Sequence, residues 1–164
     1  MAHTCELKFA RTSGGYRLRV EGCGTMQDSA LAACFVKEAL TDPACSVVVD
    51  LSGASYLDST FLGCLVAMYR GHGAGRVRIA APKESAQALF GSSQLDRALR
   101  VSEDLPEPIG AYVTIKSQTG GGGAEMARHI MECHRQLAEI PGPQQQAFAA
   151  VAQQMARELE QRRH

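Results

Sequence analysis

Three consecutive polar residues, Asp58, Ser59 and Thr60, form the segment of the chain with the clearest chemical potential. Asp is a favoured helix N-cap, because its carboxylate accepts hydrogen bonds from unpaired amides of the first turn. A hydroxyl just after such a cap stands at the positive end of the helix dipole, where a phosphate is stabilised. A phosphate on Ser59 would add about 1.5 to 2 negative charges to an exposed rim. The spacing alone leaves a second interpretation open, in which these residues only cap a helix.

Two apolar patterns flank this polar run and indicate how it is positioned. Residues 47–51 form a short continuous apolar run, which is typical of a strand buried on both faces. Residues 52–57 are predicted to be a crossing loop. Beyond Asp58, apolar residues recur with helical spacing at Leu62, Leu65, Val66 and Tyr69. The pattern predicts a helix that begins at Asp58 and carries Ser59 in its first turn.

The same stretch resembles the signature of the STAS family, the bacterial anti-sigma factor antagonists and their relatives. The resemblance rests on Asp50-Leu51-Ser52-Gly53, Tyr56-Leu57-Asp58-Ser59-Thr60 and Leu62-Gly63-Cys64-Leu65. It extends in element order over roughly residues 5–115 and is specific only within these blocks. It implies a phosphorylation-switched module that sequesters a serine/threonine protein kinase acting as an anti-sigma factor while the acceptor serine is unphosphorylated. It also admits a phosphatase as a partner.

By this resemblance Ser59 is the phosphorylated residue, with Thr60 as the alternative. The chain departs from the family pattern at Phe61, where relatives usually have glycine. Phe61 is expected to form an exposed apolar contact beside the acceptor, which implies an altered partner or a non-catalytic scaffold that oligomerises in a stress-signalling assembly. The resemblance assigns partner binding to Cys23, Gly24, Thr25, Met26, Asp58, Thr60 and Phe61. For residues 23–26 the alternative interpretation is an ordinary strand-to-helix loop.

The composition argues against several classes of function. The chain has 164 residues, with 17 basic and 17 acidic residues and a formal net charge of zero. No basic stripe suited to nucleic acid or to a membrane surface is present. No apolar run approaches the roughly 18 residues of a membrane span, and the first residues do not form a secretory signal. We therefore expect a cytoplasmic protein without nucleic-acid or membrane partners.

The cysteines and histidines are predicted to have no catalytic or metal-binding role. The six cysteines contain no Cys-x-x-Cys pair and are expected to be reduced thiols, with Cys34 and Cys64 as small core residues. His129 and His134 are five residues apart, which places them on different sides of a helix. No Ser-His-Asp or Cys-His constellation stands at a usable spacing. The sequence therefore predicts no enzyme activity, no metal and no cofactor.

The order of predicted elements indicates an α/β fold, with a STAS-like mixed β-sheet covered by helices. Alternating patterns over residues 5–9 and 16–20 predict a β-hairpin. Helices are predicted over residues 27–40 and 84–90. Strands are predicted over residues 76–80, 99–101 and 111–115. A helix between successive inner strands favours a partly parallel sheet.

The C-terminal part of the chain is predicted to be a separate helical hairpin. We divide the chain into a STAS-like domain over 1–117, a Gly-rich linker over 118–124 and the hairpin over 125–164. The apolar stripe of its first arm is Met126, Ile130, Cys133, Leu137 and Ile140, and that of its second arm is Phe148, Ala152, Met155 and Leu159. So small a unit should dock on the sheet domain, pair with its copy in a homo-oligomer, or bind a partner.

Overall fold

The computed structural model describes residues 4–73, 75–91, 94–95, 98–116 and 123–163. The elements in chain order are β1 (Cys5–Thr12), β2 (Gly15–Gly24), α1 (Met26–Ala39), β3 (Ser46–Leu57), α2 (Ser59–Gly71), β4 (Val77–Ala80), α3 (Lys83–Phe90), β5 (Val101–Ser102), β6 (Ile109–Thr114), α4 (Gly123–Ala138) and α5 (Gln145–Arg162). None of the helices in these described ranges combines the length and the apolar character needed to cross a membrane.

The strands form one mixed sheet in the order β5-β4-β3-β2-β1-β6. Strand β1 pairs antiparallel with β2 and β6, whereas β2, β3, β4 and β5 are parallel to their neighbours. Helices α1, α2 and α3 connect successive parallel strands that advance in one direction across the sheet. Right-handed crossovers of this kind place their helices on one face. The predicted mixed sheet with covering helices is confirmed.

The main core lies between the sheet and these helices. Leu18, Val20, Val49 and Ile79 are fully buried on the strands. Helix α2 is buried from Thr60 through Val66, because α4 covers the side of α2 that a surface helix would expose. Removal of this apolar surface from water is the main force that holds α2 in place.

Charged residues on β2 and β3 form a buried ion pair. Arg17 Nη2 lies 2.8 Å from Asp50 Oδ2, and the Asp50 side chain is fully buried. Arg17 Nη1 also donates a hydrogen bond to the carbonyl oxygen of Pro106 at 3.1 Å. Loss of one partner would leave a buried charge uncompensated, which makes this pair costly to break.

Strand β3 is longer than predicted, and the crossing loop expected over residues 52–57 is wrong. The strand continues to Leu57, because Gly53 pairs with Glu21 and Leu57 pairs with Gly24 of β2. The register shifts between Arg19 and Glu21, so a bulge allows the pairing to resume. Ser59 therefore follows the end of a strand after a single intervening residue, and its position is rigidly set.

Helices α4 and α5 form the predicted hairpin, and α4 docks on α2. The approach is close at Gly63, where a Cβ atom would lie 2.1 Å from the carbonyl oxygen of Cys133. Cys133, Leu137 and Ile140 of the predicted stripe are buried. The hairpin was expected to dock on the sheet domain, pair with its copy or bind a partner. In the structure it docks on the sheet domain. The linker predicted over 118–124 lies largely outside the described residues, and its last two residues already belong to α4.

Candidate functional site

The predicted N-cap is present at the start of α2. Asp58 Oδ1 accepts a hydrogen bond from the backbone amide of Phe61 at 2.8 Å, and Ser59 is the first helical residue. The amide of Asp58 donates to the carbonyl oxygen of Gly24 at 2.9 Å. These bonds tie the helix start to the carboxyl ends of β2 and β3, the edge of a parallel sheet at which binding sites usually form.

The hydroxyl of Ser59 contacts a histidine of the hairpin. Ser59 Oγ lies 3.0 Å from Nε2 of His134, and Nδ1 of the same ring lies 2.8 Å from the carbonyl oxygen of Ile130. A carbonyl oxygen only accepts, so Nδ1 carries a hydrogen, and in a ring with that single hydrogen Nε2 is an acceptor. The hydrogen-bond network therefore indicates that the hydroxyl of Ser59 donates its hydrogen to Nε2 of His134. Sequence reasoning missed the pair because the two residues are 75 positions apart.

Ser59 also borders an open groove of about 400 Å³. The groove is lined by the end of β3, by α3 and by the first turn of α5, including Tyr56, Leu89 and Phe148. Ser59 is half-buried rather than enclosed. The hydroxyl is therefore held by a base on one side and accessible from the groove on the other.

The expectation that Phe61 is an exposed contact is wrong. Phe61 is fully buried, and Thr60 is only 5% exposed. The first turn of α2 directs Phe61 inward against Gly24, where a Cβ atom would lie 2.7 Å from the Phe61 ring. The absence of a side chain at Gly24 leaves room for the ring. Neither Thr60 nor Phe61 is on the surface that a partner would meet in this conformation.

The segment from Cys23 to Met26 joins β2 to α1 and is partly exposed. Cys23 Sγ lies 3.4 Å from Ser55 Oγ, and Gly24 is buried. The amide and the hydroxyl of Thr25 both donate to Asp28 Oδ2 at 2.9 Å, as expected at the start of a helix. In its local geometry, this segment is an ordinary connection from a strand to a helix, as in the alternative interpretation. Cys23, Thr25 and Met26 keep exposed surface.

Two large side chains near Ser59 are exposed. Met26 is 41% exposed and Tyr56 is 58% exposed. Tyr56 pairs in register with Cys23 near the end of β2, and Met26 begins α1 two residues after that strand ends. Sequence reasoning did not single out Tyr56, because it was placed in a loop. Tyr and Met are enriched at protein interfaces, so this rim has the composition of a docking surface.

A second cluster lies between α2 and α4. One potential ligand atom each of Cys64, His129 and Cys133 lies within 4.8 Å of the others. The hydrogen bond that Cys64 shares with Cys133 lowers the pKa of the Cys133 thiol to about 6, whereas burial opposes this change. The same hydrogen bond raises the pKa of Cys64, and burial raises it further. This shared hydrogen bond therefore favours the thiolate on Cys133 and the thiol on Cys64.

The predictions for individual cysteines had mixed outcomes. Cys64 is buried as expected, but Cys34 is exposed, so its assignment to the core is wrong. The expected absence of any Cys-His arrangement is also contradicted, because Cys133 Sγ lies 3.7 Å from His129 Nε2. The four-residue spacing of His129 and Cys133 was the available signal, since it places both on one face of a helix.

Comparison with known proteins bears on the fold. No protein-family model matches the chain, and no curated protein matches it significantly. The structure is similar to the crystal structure of an anti-sigma factor antagonist from Mycobacterium paratuberculosis, with a TM-score of 0.53 and 19% sequence identity. The similarity covers 62% of this chain and 88% of that chain. The fold that the STAS resemblance implied is therefore confirmed.

Proposed function

We propose that the chain is a protein-binding module of the anti-sigma factor antagonist type, switched by phosphorylation of Ser59. The observation that carries the proposal is the position of Ser59, at the start of a capped helix and beside an open groove. The structural similarity to an anti-sigma factor antagonist supports the same class. The partner would be a serine/threonine protein kinase acting as an anti-sigma factor. We assign no catalytic step to this chain.

The binding surface in this proposal is the exposed rim around Ser59. Thr25, Met26 and Tyr56 are exposed there and meet a partner directly. Asp58 caps α2 and so fixes the first turn of the helix, which carries Ser59. The buried Thr60 and Phe61 support the helix start from within. The helix start therefore needs no refolding for a charge on Ser59 to reach the rim.

Phosphorylation would change the contact between Ser59 and the hairpin. The hydroxyl hydrogen that His134 Nε2 accepts is lost, and three acceptor oxygens replace it. When the ring carries its only hydrogen on Nδ1, Nε2 has no hydrogen to donate to the phosphate oxygens. The ring must then rotate away or gain a proton. The modification therefore acts on two surfaces at once, the rim and the docked face of α4.

Phosphosite mapping and capture of partners test the proposal. Protein isolated from its own cells should carry phosphate at Ser59, and Thr60 should stay unmodified because it is buried. A Ser59→Ala variant should fold and keep its partner, whereas Ser59→Asp should weaken the complex. Ser55→Asp is the matched control, because Ser55 is an exposed serine that lines the same groove. Equal weakening by both Asp variants, or loss of folding in Ser59→Ala, would contradict a switch at Ser59.

The alternative function, a scaffold that oligomerises through the C-terminal helices, has less support. It needs an apolar stripe that is free to meet a second copy. Cys133, Leu137 and Ile140 of α4 are instead buried within their own chain. Sedimentation should show a monomer of 17.6 kDa at all concentrations if the first proposal is right. A concentration-dependent dimer that dissociates when α5 is altered at the exposed Val151 would favour the scaffold.

A further inference from the structure

The cluster of Cys64, His129 and Cys133 has the dimensions of a metal site. A tetrahedral zinc ion with Zn–S and Zn–N bonds of about 2.3 and 2.0 Å holds its ligand atoms about 3.5 to 3.8 Å apart. The three ligand atoms already lie within 4.8 Å of one another, and Cys133 Sγ is 3.7 and 3.9 Å from the two ring nitrogens of His129. The His129 ring must turn to complete the geometry, because Cys133 Sγ is now almost equally far from both of its nitrogens.

Hydrogen bonds to the neighbouring helix set the tautomer of the His129 ring. The hydroxyl of Ser29 donates to the carbonyl oxygen of Met26 at 2.7 Å, so its single hydrogen is committed. Ser29 Oγ therefore accepts a hydrogen bond from His129 Nε2 at 2.8 Å. This leaves Nδ1 of His129 without a hydrogen and free to act as a ligand. A second hydrogen bond that fixes the tautomer in this way is the usual support of a ligand histidine.

The ligands come from both parts of the fold. Cys64 lies on α2, whereas His129 and Cys133 lie one turn apart on α4. Both cysteines are nearly inaccessible, at 1% and 2% exposure, which protects the site from competing ligands. The thiol of Cys64 donates a hydrogen bond to the carbonyl oxygen of Ser29 at 3.4 Å, and this oxygen could take a fourth position once the thiol is deprotonated.

We propose that Cys64, His129 and Cys133 bind a zinc ion that fixes the helical hairpin to the sheet domain. Two thiolates and one imidazole form the mixed sulfur and nitrogen set that zinc prefers. The oxygen of a water molecule or of Ser29 completes the tetrahedron. Binding requires both cysteines as thiolates, so it releases thiol protons, and it joins α2 to α4 through the metal. The proposal does not depend on the phosphorylation switch, because it involves no atom of Ser59.

Cobalt substitution in the full chain tests the site. The protein is purified under reducing conditions, treated with a chelator and titrated with Co²⁺ and then with Zn²⁺. One equivalent of cobalt should produce thiolate-to-cobalt charge-transfer absorption, and one equivalent of zinc should remove it. Because the ion binds only the folded state, zinc at 100 times its Kd should raise the folded-to-unfolded ratio about 100-fold. The matched control is Cys34→Ser, which removes an exposed cysteine outside the cluster and should change neither result.

Variants at the cluster decide the outcome. Cys133→Ser should abolish the charge-transfer band and the stabilisation by zinc. His129→Gln, at a half-buried position, tests the same site if the Cys133 variant fails to fold. Undiminished cobalt absorption in these variants would assign the metal to other thiols and overturn the proposal. A Cys64–Cys133 disulfide in freshly isolated protein, with no zinc uptake after reduction, would also overturn it.

Discussion

Helix α4 places two histidines against two serines of the sheet domain, and the two contacts differ in the direction of the hydrogen bond. His129 Nε2 lies 2.8 Å from Ser29 Oγ, and His134 Nε2 lies 3.0 Å from Ser59 Oγ. The distances are nearly equal and the residue types are identical. In the first contact the histidine donates, whereas in the second it accepts.

A third partner sets each direction. The carbonyl oxygen of Met26 takes the hydroxyl hydrogen of Ser29, so that serine can only accept from its histidine. The carbonyl oxygen of Ile130 takes the Nδ1 hydrogen of the other histidine, so that ring can only accept from its serine. Backbone carbonyls one turn away therefore decide which side chain holds the proton.

The comparison shows which serine is chemically available. Ser29 is fully buried, and both its hydrogen and a lone pair are engaged. Its contact therefore serves to hold α4 on α1. Ser59 borders an open groove and directs its hydrogen at a base, so its oxygen is accessible to an incoming group. The same pair of residue types can thus act as a structural contact or as a modifiable site.

Substitution of Gly63 by Ala should break both contacts and have the largest effect. The new Cβ atom would lie 2.1 Å from the carbonyl oxygen of Cys133, so α4 must move away from α2. We expect the free energy of unfolding to fall by about 2 to 3 kcal/mol, as for other overpacked sites. Chemical denaturation measures this change, and hydrogen exchange should show loss of protection in α4.

Gly71→Ala is the control for this prediction. Gly71 also belongs to α2, but nothing lies within 4 Å of the position of its Cβ atom. The substitution should leave stability unchanged or raise it by up to about 1 kcal/mol, because alanine is the better helix former. Equal destabilisation by both substitutions would show that the close helix approach at Gly63 is not needed for docking.

Separate removal of the two hydroxyls should destabilise the protein to different extents. Ser29→Ala leaves the N–H group of His129 without its acceptor inside the protein, which should cost about 1 to 3 kcal/mol. Ser59→Ala removes only a donor at the edge of an open groove, and a water molecule in the space of the lost hydroxyl can donate to the buried His134 Nε2, so we expect a loss below about 1 kcal/mol. Urea denaturation of the two variants side by side measures the difference. A larger loss for Ser59→Ala would mean that its hydroxyl is the structural one.

Local patterns in the sequence were sufficient for α2 and its cap. The apolar period and the carboxylate of Asp58 act within a few residues of each other, so the sequence alone predicts them. The continuation of β3 to Leu57 was not predictable in this way. It depends on pairing with β2, and strand propensity within a Gly- and Ser-rich segment does not reveal a long-range partner.

The candidate sites were only partly predictable for the same reason. The position of Ser59 follows from local sequence, but its contact with His134 depends on how the hairpin docks. The spacing of His129 and Cys133 indicates one helix face, whereas the third member, Cys64, comes from another helix. Apolar periodicity predicted that the hairpin needs a surface to cover, without specifying which one. The inward position of Phe61 was missed because it depends on the space that Gly24 leaves.

The proton positions themselves provide the most direct test of the comparison, with no change in stability. In the metal-free, reduced protein, ¹⁵N chemical shifts of the imidazole rings distinguish a protonated nitrogen from an unprotonated one. We expect His129 to carry its hydrogen on Nε2, because Ser29 has no second hydrogen to donate, and His134 to carry its hydrogen on Nδ1, because the carbonyl oxygen of Ile130 can only accept. Ser59→Ala should leave the tautomer of His134 unchanged, since Ile130 sets it. If both histidines carry their hydrogen on Nε2, both serines are acceptors, and Ser59 does not direct its hydroxyl hydrogen at a base.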